Sequence, residues 1–283
     1  IRLKERKVPN ERPRHYSSKE RARLQNAFGY SYDDYSTSIL TMAENGSEPI
    51  AAMGADNPLP VLSKRRQPLF NYFKQQFAQV TNPPLDAIRE KLVTATTIYI
   101  GNTGNLLQEK PENCRVLCLD SPILTETDMM KIRHLKEEGF RLDTVSILHY
   151  KGTNLKQALR NLFREVDYKY KEGVNILILS DRGVDENHVA IPSLLAVSAV
   201  QQYLIRTQKD SGMSLILESA EPREVHHFAT LLGFGASAIY PYLAHETIFQ
   251  MITDDILHKD YHTAVEDYNR AVLAGIVKIA SKM

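Results

Sequence analysis

Gly173-Val174-Asn175-Ile176-Leu177-Ile178-Leu179-Ser180-Asp181-Arg182-Gly183 is the stretch that decides the fold. Val174 to Leu179 is almost uniformly apolar and lacks the alternation of a half-buried strand, which suits a parallel strand buried on both faces. It breaks into polar Ser180-Asp181-Arg182-Gly183, as the carboxyl end of such a strand does. Working outward, Leu155 to Tyr170 reads as a helix with Leu155, Leu159, Leu162, Phe163 and Val166 on one side, and Ile191 to Ile205 as the next, with Pro192 near its first turn. Strands are expected over Thr96 to Ile100, Val116 to Leu119, Leu142 to His149, Ser214 to Leu217 and Ala236 to Tyr240. Helices are expected from Thr125, capped by Thr125 and Asp128 and closed by Gly139, and over Val225 to Leu232, Thr247 to Ile252 and Ala264 to Ile279. Strand then helix, repeated about five times, is the mark of an α/β fold. The expectation is parallel strand-helix repeats forming a partial or degenerate (β/α) barrel-like domain with an N-terminal helical arm.

The boundaries expected are a solvated N-terminal arm or linker over 1–27, a helical and loop segment over 28–95, the α/β core over 96–270 and a connecting segment over 271–283. The arm is rich in Lys, Arg and Glu, and reads as a solvated segment or an outer helix. Tyr35, Ile39 and Met42 can share a helical face that Asn45-Gly46 ends. Between Met53 and Glu90 the chain carries unusual detail. Met53-Gly54-Ala55-Asp56-Asn57-Pro58 is a small polar loop that lets backbone approach something closely. Leu69 to Gln79 reads as a helix with Phe70, Phe73 and Phe77 on one face, stopped by Asn82-Pro83-Pro84.

The chain has 283 residues, 43% of them hydrophobic, enough for a large domain with a real core. Its 35 basic and 34 acidic residues leave a net charge of +1, so no nucleic-acid partner is announced. Apolar runs are too short to span a bilayer, and no membrane partner is expected. Cys114 and Cys118, four residues apart in NCRVLC, read as buried apolar thiols on one strand face, which fits a reducing, cytoplasmic compartment. No metal site is expected. Ile1 at the start and the abrupt stop at Met283 read as a piece of a longer polypeptide.

In parallel α/β folds ligands bind at the carboxyl ends of strands. Those ends carry Asp120-Ser121, His149, Ser180-Asp181-Arg182 and Glu218-Ser219. Asp181, Glu218 and His226 supply a general base and acid if they converge on one pocket, the arrangement of an autonomous small-molecule enzyme. The alternative is that the carboxylates cap helices and pair with Arg182 or Arg223. His226-His227 diverge by about 100° on a helix and cannot share one metal, so one is expected inside and one outside. Gly101-Asn102-Thr103-Gly104 lacks the lysine of a P-loop and the third glycine of a dinucleotide fingerprint.

Longer motifs resemble a known family. Phe28-Gly29-Tyr30, Met53-Gly54 with Asp56, Pro58-Leu59, Val61-Leu62-Ser63 and Phe77 to Pro84 with Asp86, Arg89 and Glu90 are similar to the central domain of glutamate synthase. Leu119 to Pro122, Leu177 to Gly183, Ile191 to Ala196, Glu224 to Phe228, Pro241 to Ala244 and Lys278 to Met283 follow in the same order. The resemblance implies an enzyme that hydrolyses glutamine, channels ammonia internally and makes glutamate from 2-oxoglutarate, with electrons passing through FMN and an iron-sulfur cluster. It implies that catalysis lies in an amidotransferase domain and an FMN-binding domain of the same polypeptide, and that this segment is a linking scaffold related to the flavin barrel. It further implies that Met53, Gly54, Asp56 and Asn57 reach toward the FMN and 2-oxoglutarate pocket.

Overall fold

The computed structural model describes residues 1–11, 15–50, 59–74, 86–105 and 107–282. Its helices are α1 (Ser18–Ala27), α2 (Leu40–Asn45), α3 (Ala87–Val93), α4 (Glu126–Arg133), α5 (Leu155–Lys171), α6 (Ser193–Arg206), α7 (Val225–Gly233), α8 (Tyr242–Thr253) and α9 (Tyr261–Lys282). Its strands are β1 (Ile98–Ile100), β2 (Leu117–Leu119), β3 (Leu142–Ser146), β4 (Leu148–Tyr150), β5 (Ile176–Ser180), β6 (His188–Ala190), β7 (Ser214–Glu218) and β8 (Ala238–Tyr240).

The deciding stretch forms β5, buried along its whole length between β3 and β7 in a parallel sheet ordered β3-β5-β7-β8. Successive side chains point to opposite faces, and each face has its own core. Leu177 and Leu179 join Leu215, Leu217 and Ile239 against α5, α6 and α7, through Leu162, Val200 and Phe228 among others. Ile176 and Ile178 join Ile216 and Ala238 against Ile100, Leu117 and Leu119 of β1 and β2 and against Met129 and Ile132 of α4. Each such side chain contributes about 1.5–3 kcal/mol by leaving water, which explains why a run of Ile and Leu is needed here.

Strand order follows chain order without reversal, and all three crossover helices lie on one face. That is the progression of a (β/α) barrel, not of a doubly wound sheet, whose order reverses at a switch point. Beyond β8 the chain before α4 adds a further parallel bridge: the Leu124 amide donates to Ile239 O at 2.9 Å, and the Ile239 amide to Pro122 O at 2.8 Å. The partial barrel-like fold expected from the sequence is therefore present, with no closed barrel among the described residues.

Several local expectations are corrected. β1 and β2 pair antiparallel with each other and form a separate ribbon, so the first two expected repeats are not part of the parallel sheet. Cys114 is exposed in a 3-10 turn, Pro111–Cys114, and Cys118 is half-buried in β2, because Arg115 and Val116 between them are irregular and not strand. The strand expected over Leu142 to His149 leaves the sheet after Ser146. The Ile147 amide still reaches Ser180 O, but β4 pairs with β6 in a second antiparallel ribbon. Pro192 precedes α6, and the helix starts at Ser193.

Leu69–Phe73 is a 3-10 turn that ends at extended Lys74 (ψ 133°), so the helix expected to Gln79 does not continue through Lys74. Residues 75–79, including Phe77, lie outside the described residues, as does the Met53–Asn57 loop. Within the turn, Phe70 stacks on His227 and Phe73 meets Phe234 edge-on, so the two aromatics do face one helix, α7. Ile39 and Met42 are buried with Tyr35 packed beside them, although Asp34–Ile39 is a π-helical stretch that runs into α2. Gly46 ends α2 at φ 65°, the left-handed position that favours glycine.

The first residues are exposed along much of their length but anchored. Ile1 and Arg2 run beside β2, where the Cys118 amide donates to Ile1 O, and Leu3 and Leu24 are buried. Further on, His15 stacks on Phe249 of α8 at 3.8 Å.

Buried polar groups tie these layers together. Arg223, 4% exposed, donates through Nη2 to Gly29 O (3.0 Å) and through Nη1 to Phe28 O (3.3 Å), pairs through Nε with Asp34 (3.1 Å), and lies over the Tyr30 ring. Its own carbonyl accepts from Tyr268 of α9, and its amide donates to His227 Nδ1. Gly275 of α9 crosses here so closely that a Cβ would lie 2.5 Å from Val225 Cγ1. In α8, His245 Nε2 contacts Asn269 Oδ1 at 3.0 Å, and burial depresses its pKa to about 4. Asp181, at the end of β5, has the opposite bias: burial pushes its carboxyl up to about 7, against the lowering effect of Ser219.

Two outcomes follow from these groups. Arg223→Met strips the charge from a buried pair and leaves Asp34 uncompensated, so chemical denaturation should show a loss of about 3–5 kcal/mol. For pH, the depressed His245 contributes stability above its unfolded value of about 6.5 that is lost as pH falls toward about 4. The raised Asp181 contributes stability present below its unfolded value, about 3.8, that is lost as pH rises toward about 7. The two slopes oppose each other in one window. Thermal melts of Asp181→Asn should therefore gain stability from pH 4 to 7 relative to the parent, and those of His245→Asn should lose it, each by up to about 3 kcal/mol.

Candidate functional site

The carboxyl ends of β5, β7 and β8 are where a barrel-like fold places chemistry. Parallel pairing puts Ser180 beside Glu218 and Glu218 beside Tyr240, so their side chains and the loops after them meet at one end of the sheet.

Glu218, 1% exposed, is fully engaged. Its Oε2 accepts from Arg133 Nη2 (2.8 Å) and Ser180 Oγ (2.7 Å), and its Oε1 accepts from Arg182 Nε (2.7 Å). Burial works to raise its pKa, but the Arg182 and Arg133 charges outweigh it and hold the carboxyl below its usual value. Arg182 stacks over the Tyr242 ring at 4.0 Å and donates through Nη1 to Tyr16 Oη at 2.7 Å. Desolvation opposes the guanidinium charge, and Glu218 more than offsets it, so Arg182 remains a cation.

Asp181 is turned into its own pocket. Ser219 Oγ donates to it at 2.5 Å, and the Ala220 amide reaches both carboxylate oxygens at 3.1 Å. Glu221 accepts from the Ser193 amide at 2.8 Å and so serves as the cap that Pro192 does not provide for α6. Tyr16, carried by the segment before α1, lies across this end of the sheet, where the Tyr16 amide also donates to Glu246 at 3.2 Å.

The expected constellation of Asp181, Glu218 and His226 does not assemble. The sheet brings the two carboxylates to neighbouring strand ends, but His226 points elsewhere and donates from Nε2 to Phe70 O at 2.9 Å. His227 is inside, as expected of one of the pair, but His226 is half-buried against the Phe70 turn and not outside. Burial lowers the pKa of both, most strongly that of His227, where Arg223 adds to the effect. Asp120 pairs with Lys4 at 3.1 Å, and His149 contacts Tyr150 O. Gly101 to Gly104 is no phosphate cradle, because its amides are spoken for: Gly101 N by Ser214, Thr103 N by Ser211 O and Gly104 N by Asn102.

What this end can do chemically is hold charge, with Glu218, Asp181, Glu221 and Glu246 each matched to a cation or a hydrogen-bond donor. Tyr16 and Arg133 had no signal in local pattern, since both come from elements outside the strand ends they complete. No cluster of metal-ligating side chains occurs among the described residues, and no helix among them is long and apolar enough to cross a membrane.

Comparison with known proteins accords with these features. Residues 23–283 match the family model described as glutamate synthase central domain. The chain is 43% identical over 259 residues to the glutamate synthase [NADPH] large chain of Bacillus subtilis (strain 168), covering 92% of this chain and 17% of that protein. It is 42% identical to ferredoxin-dependent glutamate synthase 2 of Synechocystis sp. and 35% identical to glutamate synthase [NADH] of Schizosaccharomyces pombe, covering 92% and 91% of this chain, and 18% and 12% of theirs. It thus spans less than a fifth of the length of these relatives. With the match running through both the parallel sheet and the segment before it, the chain belongs to the glutamate synthase central domain family.

Proposed function

We propose that this chain is the linking scaffold of a cytoplasmic glutamate synthase, joining an amidotransferase domain and an FMN-binding domain of one polypeptide that makes glutamate from glutamine and 2-oxoglutarate with internal ammonia transfer. On this reading it performs no bond-making step itself. The observation that carries the reading is the state of the strand ends: Glu218 is held by Arg133, Arg182 and Ser180, Asp181 by Ser219 and the Ala220 amide, and Tyr16 covers them. A general base must reach a substrate proton with a free lone pair, and these buried carboxylates spend most of theirs on protein donors.

The cofactors belong elsewhere on this reading. A three-iron cluster needs three thiolates, and the chain holds two cysteines, one in an exposed turn and one in β2. FMN would be held by the neighbouring domain, where it supplies the electron-transfer chemistry. What this chain contributes is position. The loop bearing Met53, Gly54, Asp56 and Asn57, proposed to approach the FMN and 2-oxoglutarate pocket, lies outside the described residues, but both of its stems are clamped. On one side Lys259 Nζ donates to Ala43 O (3.2 Å) and Glu44 O (2.9 Å), and on the other His226 holds Phe70 O.

Two measurements test the proposal on the intact polypeptide. Glu218→Gln should lower the melting temperature while leaving kcat for glutamate formation within about twofold, whereas removal of a true acid-base group costs about 10²-fold or more. A collapse in kcat at unchanged stability would make Glu218 catalytic and overturn the scaffold reading. Replacing Met53 to Asn57 with a Gly-Ser stretch of equal length should shift the visible spectrum of the bound flavin and raise KM for 2-oxoglutarate. An unchanged spectrum and KM would remove the loop from that pocket.

A further inference from the structure

Between the two clamped stems the chain presents an unusual strip. The 3-10 turns Pro60–Leu62 and Leu69–Phe73 pack against each other. Around them Val61 is 71% exposed, Leu62 72%, Tyr72 51% and Phe73 47%. Single exposed apolar residues are ordinary, but four on two touching turns make a patch. Lys64, Arg65 and Arg66, all exposed, sit between the turns. Ser63 Oγ fixes their backbone by accepting from the Arg65 amide (3.1 Å) and from Gln67 Nε2 (3.2 Å), so the three cations are presented on an ordered turn.

None of the three forms an ion pair among the described residues. Outside those residues the sequence offers one acidic side chain, Asp56, against the three cations. In a chain with net charge +1, a run of three unmatched cations flanked by exposed aliphatic and aromatic side chains is a local excess of both charge and apolar surface.

We propose that Leu59 to Phe73 is a docking surface for an acidic face with an apolar centre, carried by another part of the same polypeptide. The inference rests on the reading of this chain as one domain of a longer enzyme. The chemistry selects the occupant. Val61 and Leu62 need apolar surface, which a nucleic acid backbone does not offer, and turns of three and five residues lack the continuous apolar stripe with which a helix lies in a lipid interface. Apolar contact at the centre with charge matched at the rim is the anatomy of a protein interface. Tyr72 and Phe73 are of the residue types that dominate such interfaces, and the Lys64–Arg66 triplet sets orientation.

The test is acetylation footprinting of Lys64, normalised to exposed Lys156 on α5, in the 283-residue chain and in the intact polypeptide. Lys64 should react at least about tenfold more slowly in the intact polypeptide, equivalent to about 1.4 kcal/mol of protection. Arg65→Glu with Arg66→Glu should restore its reactivity, as should Val61→Ser with Leu62→Ser. Raising NaCl to about 1 M, where the Debye length is about 3 Å, should restore it in part. Equal labelling in both proteins overturns the proposal. So does protection that survives both pairs of substitutions, or protection that nuclease or detergent treatment removes, which would assign the strip to nucleic acid or lipid. Glutamate formation by the intact polypeptide is measured separately, so an active enzyme with unprotected Lys64 refutes the surface and leaves the scaffold reading standing.

Discussion

The Arg223 guanidinium is the contact on which the assembly of this domain depends. A buried cation requires matched acceptors, and it takes them from distant parts of the chain: the carbonyls of Phe28 and Gly29, the carboxylate of Asp34 and the face of Tyr30. Because Arg223 directly precedes Glu224, the residue at the start of α7, satisfying it fixes the residues after α1 against the sheet's helical layer. The neighbouring His227 completes the same joint, accepting from the Arg223 amide and stacking on Phe70. One short run, Arg223 to Phe228, therefore gathers the segment after α1, the Phe70 turn and α9. Without its partners the guanidinium would cost several kcal/mol to bury, so fold and pairing are mutually conditional.

A second constraint concerns the space a barrel would enclose. The parallel sheet advances in barrel order and carries its crossover helices on one face, but its other face is filled by β1, β2 and α4, through Ile100, Leu117, Leu119 and Met129. The ribbon takes the place of missing strands as an apolar cover. The bridge from Ile123 to Ile239 marks how far closure proceeds on one side. At the mouth, Tyr16 and Arg182 complete the cover with polar contacts, since strand ends leave charged groups that aliphatic side chains could not satisfy.

How much of this was legible follows from the range of each interaction. The Ile176 to Leu179 run announced a doubly buried parallel strand because burial acts on every residue of it. Thr125 and Asp128 announced a helix start because their capping box is local, with each side chain bonded to the other's backbone. Cys114 and Cys118 mislead because their four-residue spacing fits a continuous strand, while Pro111–Cys114 is a turn. Leu142 to His149 misled because the departure after Ser146 is set by pairing of β4 with β6, forty residues on, which periodicity does not encode. The engagement of Glu218 was half legible. Arg182 is a near neighbour in the strand-end motif, but Arg133 and Tyr16 arrive from 85 and 166 residues away in sequence from their partners Glu218 and Arg182.

That asymmetry bears on function. Asp181, Glu218 and His226 have the residue types of an acid-base site, and only three-dimensional accounting separates that from a structural network. The deciding quantity is the number of free lone pairs. Glu218 accepts from three donors and Asp181 from two, Ser219 Oγ and an Ala220 amide shared between both oxygens, and the donors are positioned by strands or by the residues just after them. A substrate that took the place of an arginine or a backbone amide here would leave that donor buried and unpaired at a cost of about 1–3 kcal/mol. Charge that is matched in this way stabilises a frame and offers little to a ligand. Lys64, Arg65 and Arg66, by contrast, are exposed and without an ion pair among the described residues, where water rather than protein supplies the partners, and that is the kind of group a neighbouring body can engage without breaking what holds the domain together.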